Sequence, residues 1–181
     1  MDAQVDSERR SRYLLTGLAM KTFSFRYELV GTGWARATLT EAGVETVVTA
    51  SYLSDALRDL LEATASITEG AVEARCVWQE EPGEYRWLFR RNANDVHLEI
   101  RSFPHMYDTS SDEQGEVAFR TTRSVMEIAR TVLRSFDRLA DEYSPGRYVE
   151  RWVEHSFPAE ALERLRHAYR ANATLDDQKN D

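Results

Sequence analysis

The chain has one cysteine, Cys76, among 181 residues. An internal disulfide or a cysteine-based zinc site would need more than one. A reducing compartment is the simple reading, so the expected location is the cytoplasm. Long apolar runs are missing too. None approaches the roughly 20 residues that span a bilayer, so no membrane partner is expected. The glycines never form G-x-G-x-x-G or a P-loop, and Gly31-Thr32-Gly33 reads as a turn. The histidines, His97, His105, His155 and His167, have no second His or Cys at ligand spacing. No metal and no cofactor is therefore expected. Basic charge is scarce: 23 Lys and Arg stand against 31 Asp and Glu, a net charge of −8. That balance argues against nucleic acid and anionic membranes as partners.

The two ends differ from the middle. In residues 1–20, Arg9, Arg10 and Arg12 precede Tyr13, Leu14 and Leu15, a faint echo of a twin-arginine export signal. Thr16 and Gly17 break the apolar stretch, which stops at Lys21, and no small-residue cleavage site follows. Residues 1–20 are read as an extension. Residues 171–181 are polar and aperiodic, a composition expected to be disordered. The sequon Asn172-Ala173-Thr174 carries no weight in a cytoplasmic protein. Residues 21–170 are expected to form a single domain around one core, as the chain length allows.

Within that domain the hydrophobic period is first two, then near four. Phe23, Phe25, Tyr27 and Leu29 alternate with polar residues, which predicts a half-buried strand. Strands at 34–40 and 44–52 complete a β-meander. Ser54 is the expected N-cap of a helix whose face is Leu57, Leu60, Leu61 and Thr64, and Gly70 is its stop. Strands follow at 72–80, 84–91 and 96–103, with an edge strand at 116–121. Ser124 and Glu127 form a capping box, and Ile128, Val132, Phe136, Leu139 and Tyr143 recur at helical spacing. A short helix at 147–154 carries Tyr148 and Trp152, and Pro158 suits the start of the last helix. The expected fold is α+β: one antiparallel sheet of about six strands, with helices packed on one face as a two-layer sandwich.

Residues 80–91, EEPGEYRWLFRR, allow a register test. A four-residue loop at 81–84 pairs Trp78 with Trp87, Cys76 with Phe89 and Ala74 with Arg91. The next hairpin, through residues 92–95, pairs Phe89 with Leu98 and Trp87 with Ile100. Apolar side chains then share one face, which a one-residue slip would destroy. The other face carries Arg75, Arg90 and His97 in one row, and Gln79, Arg86 and Arg101 in a second. Glu73 and Glu99 interleave with them. This solvated basic face is one candidate binding surface.

The second candidate is the acidic loop at 104–115, PHMYDTSSDEQG, the longest irregular segment. Long loops in compact domains tend to be functional. His105 and Asp108 offer a His–carboxylate pair, and Tyr107 is a large group among acids, a pattern of interaction surfaces. Acid–base catalysis needs two carboxylates at fixed separation in a partly desolvated cleft. Glu81 and Glu84, on an expected wet hairpin tip, do not meet that need, so no catalytic residue is assigned. Cys76, between Ala74 and Trp78 on the apolar face, reads as a small buried hydrophobe. Trp34, Trp78, Trp87 and Trp152 are expected in the core.

The blocks ASYLSDAL (50–57), EPGEYRW (81–87) and ERWVEHSFP (150–158) resemble a family of small uncharacterised bacterial α+β proteins with the same block order. The resemblance covers about residues 21–169 and brings no catalytic residue with it. In composition the chain also resembles immunity proteins of bacterial toxin systems. The expected function is a non-enzymatic protein-binding module of the immunity-type inhibitor kind, facing a protein partner. The alternatives are a small-molecule-binding protein or an enzyme with a sheet–helix pocket around His105, and a homodimer formed through an open sheet edge.

Overall fold

The computed structural model describes residues 23–178. The expected extension over residues 1–20 lies outside them, as do the last residues of the expected tail.

The first meander forms as its alternation dictates. Strands β1 (Ser24–Leu29), β2 (Trp34–Glu41) and β3 (Val44–Ser51) pair antiparallel in the order β1-β2-β3. Phe25, Tyr27, Ala37, Leu39 and Val48 face inward and are buried. Trp34 departs from its expected core position and is exposed. Parity is the reason: Ala35, Ala37 and Leu39 hold the inner positions of β2, which leaves Trp34 on the outside.

Helix α1 (Ala56–Glu69) follows and ends at Gly70, whose φ of 114° suits a residue without Cβ. The N-cap position belongs to Asp55 and not, as expected, to Ser54. Ser54 Oγ instead accepts the Gln79 N–H at 3.1 Å, a bond that ties the helix entry to the next sheet.

That next sheet is separate, and the expected single six-stranded sheet is two. Strands β4 (Glu73–Gln79), β5 (Glu84–Asn92), β6 (Asp95–Phe103) and β7 (Glu116–Ser124) form a four-stranded antiparallel sheet in sequence order. No ladder joins β3 to β4. Side chains bridge the two sheets: Thr49 Oγ1 donates to Glu80 Oε2 at 2.8 Å, and Thr121 Oγ1 donates to Glu41 Oε2 at 2.8 Å. Aromatic rings join them inside, with Phe25 against Trp87, Tyr27 against Trp78 and Phe23 against Phe119. One core therefore serves both sheets.

The expected β5–β6 register is the observed one, with Phe89 opposite Leu98 and Trp87 opposite Ile100. The β4–β5 register is not. Cys76 lies opposite Trp87, Trp78 opposite Tyr85 and Ala74 opposite Phe89, a slip of two residues that keeps every face. Gln79 and Glu84 close the hairpin, so its loop is 80–83, with the Glu81–Pro82 peptide bond cis. Trp78 and Trp87 still touch diagonally, their ring centroids 4.6 Å apart. Gly83 is pressed against β6: a Cβ there would lie 2.4 Å from Phe103 O.

Helix α2 (Val125–Glu142) starts as its capping residues dictate, with Ser124 Oγ accepting the Glu127 N–H. Its Phe136 packs on both Phe25 and Tyr27. Helix α3 (Pro145–Trp152) buries Trp152 as expected, and Tyr148 with it. Helix α4 (Ala159–Gln178) packs on α1 and α2. It runs past residue 171, where the disordered tail was expected to begin. Asn172 holds it there, its Nδ2 donating to Thr68 O of α1 at 2.9 Å.

Two glycine substitutions test this packing by urea unfolding. Gly83→Ala forces the Phe103 carbonyl to move and is expected to cost about 1–3 kcal/mol. Gly146→Ala meets nothing within 4 Å at the start of α3 and is expected to be neutral or stabilising by up to about 1 kcal/mol.

Candidate functional site

The outer face of the β4–β7 sheet carries the arginines the sequence placed there. The register sets Arg86 opposite Arg101 and Arg90 opposite His97, whereas Arg75 falls opposite Leu88. Two guanidinium groups directly across a ladder repel. The chain resolves this by folding the acidic 104–115 loop back over the face. The two candidate surfaces, basic face and acidic loop, are thus each other's partners.

Arg86 is the centre of this strap. It was expected to be solvated, yet it is only 2% exposed. Its Nε donates to Glu84 Oε1 at 2.7 Å, and its Nη1 to Ser110 O at 2.7 Å and Asp112 Oδ1 at 2.9 Å. Its Nη2 donates to Asp108 O. The guanidinium also stacks over the Phe103 ring, 3.7 Å from the centroid. Glu84, expected on a wet hairpin tip, is 3% exposed. Its Oε2 accepts Gln79 Nε2 at 3.2 Å and the Tyr107 N–H at 2.8 Å. A buried ion pair survives desolvation only when its remaining donors and acceptors are filled, and here they are.

Arg101 holds the far end of the loop. Its Nε donates to Glu99 at 2.6 Å, and its Nη1 to Glu113 O at 2.8 Å and Gly115 O at 2.9 Å. Arg75, Arg90 and His97 stay half open to solvent at the margin. Arg75 pairs with Asp112 at 3.2 Å, and Arg90 lies 3.8 Å from Glu113 and 3.9 Å from Glu73. His97 Nδ1 lies 3.1 Å from Thr122 Oγ1. A shallow cleft of about 320 Å³ opens between Arg75, Arg90, Leu88 and Asp112.

The carboxylates are tuned by this arrangement. Burial pushes the Asp112 carboxyl up, but hydrogen bonds and charge from Arg86 and Arg75 outweigh it and leave it below the ordinary range. Asp108 is lowered chiefly by its Ser110 hydrogen bonds, and it does not form the expected contact pair with His105. Two of the three candidate residues on the strap stay outside. His105 is exposed, and Tyr107 is 70% exposed with a φ of 56°. A non-glycine residue in the left-handed region needs support. Tyr107 has it in the bond from its own N–H to buried Glu84.

The sequence reading missed Glu84–Arg86 as a buried pair. Its signal was present: residues two apart on a strand share a face. A second missed feature lies at the end of α3. Val153 has φ 76° and ψ −63°, and the Glu154 N–H bonds Trp152 O at 3.1 Å, a γ-turn with a branched residue at its centre. Val153 is exposed, as are Val149 and Trp34. Among the described residues no group of three His, Cys, Asp or Glu side chains is placed to hold a metal, and no helix is long and apolar enough to cross a membrane.

The chain matches no protein-family model and no curated protein, so the block resemblance to a bacterial family stands on those blocks alone. Among solved structures it is similar to a chain of the CdiA-CT/CdiI toxin and immunity complex from Enterobacter cloacae. The two share 9% identity and a TM-score of 0.41 over 66% of this chain and 99% of that one. At that score the likeness carries no argument about function.

Removing one member of the buried pair exposes its worth. Arg86→Met strands Glu84 without a counter-charge and is expected to lower stability by about 3–5 kcal/mol in urea unfolding. Asp112 sets a pH dependence. Its folded pKa lies below the unfolded value of about 3.9, so its contribution is present above that value and is lost as pH falls through the folded one. Asp112→Asn is expected to flatten the acid limb of a stability–pH curve below about pH 4.

Proposed function

We propose that this chain is a non-enzymatic protein-binding module, an immunity-type inhibitor working in the cytoplasm, with the strapped 104–115 loop as its docking surface. The observation that carries the reading is the presentation of Tyr107. A large aromatic side chain stands in solvent while its backbone is held by a buried ion pair. An exposed aromatic on a rigid base loses little entropy on binding, which is how an interface anchor behaves. Exposed Glu81 lies on the neighbouring hairpin turn, where Pro82 O accepts the Met106 N–H at 2.7 Å, exposed Glu113 lies farther along the loop, and the chain carries a net charge of −8. Acidic groups around an anchor speed the approach of a basic partner and select against an acidic one.

The same geometry argues against acid–base chemistry here. Glu84 is committed to Arg86, Gln79 and Tyr107, and Glu81 is exposed. The pair that the sequence offers is split between a buried counter-ion and open solvent.

The test is affinity capture from the native host with wild-type protein and Tyr107→Ala in parallel. The wild type is expected to recover one stoichiometric basic protein. Tyr107→Ala is expected to bind it about 30-fold more weakly, the loss of a hot-spot side chain, with an unchanged melting temperature. Equal recovery by both proteins, or recovery of the chain itself only, overturns the proposal.

A further inference from the structure

Strand β4 is the outer strand on its side of the four-stranded sheet. Two bonds just beyond the ladder show which of its residues bond inward. The Arg91 N–H donates to Val72 O at 2.7 Å, and the Glu80 N–H donates to Gly83 O at 2.8 Å. Antiparallel ladder bonds recur at every second residue. The backbone groups of Ala74, Cys76 and Trp78 therefore bond to β5, and those of Glu73, Arg75, Val77 and Gln79 turn the other way. The Gln79 N–H is met on that side by Ser54 Oγ. Among the described residues, the outward N–H and C=O groups of Glu73, Arg75 and Val77 make no hydrogen bond.

Among the described residues no strand pairs with this edge. A groove of about 640 Å³ runs beside it, between Asp59, Glu62 and Ser66 on α1 and residues 73–77 of β4. The charges in the groove are mostly matched within the chain: Glu62 by Arg164, Arg75 by Asp112, and Glu73 by Arg90 at 3.9 Å. Asp59 is not. It is half-buried and makes no side-chain hydrogen bond or ion pair among the described residues. Burial first, and then Asp55, push its carboxyl up to about 6, against the opposing pull of His155 and Arg58. A desolvated carboxylate of this kind is completed by a cation.

We propose that this edge takes an extended, lysine- or arginine-bearing segment of a protein partner as an added strand, paired on Glu73–Val77 with one cation against Asp59. The proposal rests on the reading of the chain as a protein-binding module and states the chemistry of its partner. Strand addition draws affinity from the main chain and specificity from alternate side chains. A basic segment suits the groove, whereas a second copy would bring the same acidic groove and leave Asp59 without a counter-ion.

The test uses the purified full chain and two fluorescent peptides, one alternating Lys and Val, the other Glu and Val, read by anisotropy. Val77→Pro blocks the edge without breaking the ladder, because the N–H it removes points outward. The Lys-Val peptide is expected to bind, and the Glu-Val peptide is not. Val77→Pro and Asp59→Asn are each expected to weaken binding about tenfold, and Tyr107→Ala to leave it unchanged. Hydrogen exchange of the Glu73, Arg75 and Val77 amides in the wild type gives a readout independent of the proline variant's folding: exchange is expected to slow when the Lys-Val peptide is added. Equal binding of the two peptides, unchanged affinity in Val77→Pro, or unprotected amides overturns the proposal. Sedimentation showing a dimer that Val77→Pro abolishes names a second copy as the occupant and also overturns it. Retention of the native partner by Tyr107→Ala would sink the loop reading and leave these peptide results standing.

Discussion

A guanidinium taken out of water must recover its hydrogen bonds from the protein, and Arg86 recovers them from two segments. Glu84 on its own strand supplies a carboxylate, and the loop supplies Asp112 and the carbonyls of Asp108 and Ser110. An unpaired charge at that depth would cost several kcal/mol, so the loop's path is set by where those oxygens must lie. The outer face of the sheet, the hairpin that begins β5 and the exposed tip at Tyr107 all depend on this one requirement.

The strap also explains how a protein with excess acid carries a row of arginines. Only Lys21 and Lys179 are lysines, and both lie outside the described residues, so every described Lys-or-Arg cation is arginine. The choice suits the task. A planar fork can hold several carbonyls and a carboxylate at once, as Arg86 and Arg101 do. Loop and sheet neutralise one another at the centre, while Arg75, Arg90 and His97 remain half-exposed at the margin. Arg75 connects the two surfaces considered for binding, since it pairs with Asp112 of the loop and lines the groove along β4.

Much of the fold was legible because period and parity are local properties. Alternation assigned Trp87 and Phe89 to the core and Arg86 and Arg90 to the opposite face. The β5–β6 register followed from matching apolar partners, and Ser124 with Glu127 marked the start of α2. The β4–β5 register escaped because a slip of two residues preserves every face, so parity cannot detect it. What selected the observed pairing was the burial of Glu84, which closes the hairpin beside Gln79. The division into two sheets escaped as well, since nothing in the strand pattern says whether β3 and β4 share a ladder or only side-chain bridges.

The sequence by itself determined most of the strands and helices, which face of each is apolar, and that a basic face and an acidic loop exist in one α+β chain. Only the tertiary structure decided that the loop covers that face, that Glu84 and Arg86 are buried, and that Trp34 stands in solvent. The physical reason is a difference of range. Periodicity is written over neighbouring residues, whereas the desolvation of a charge depends on what another segment, more than twenty residues away in the case of Arg86 and Asp112 (|i−j| = 26), brings to lie on top of it.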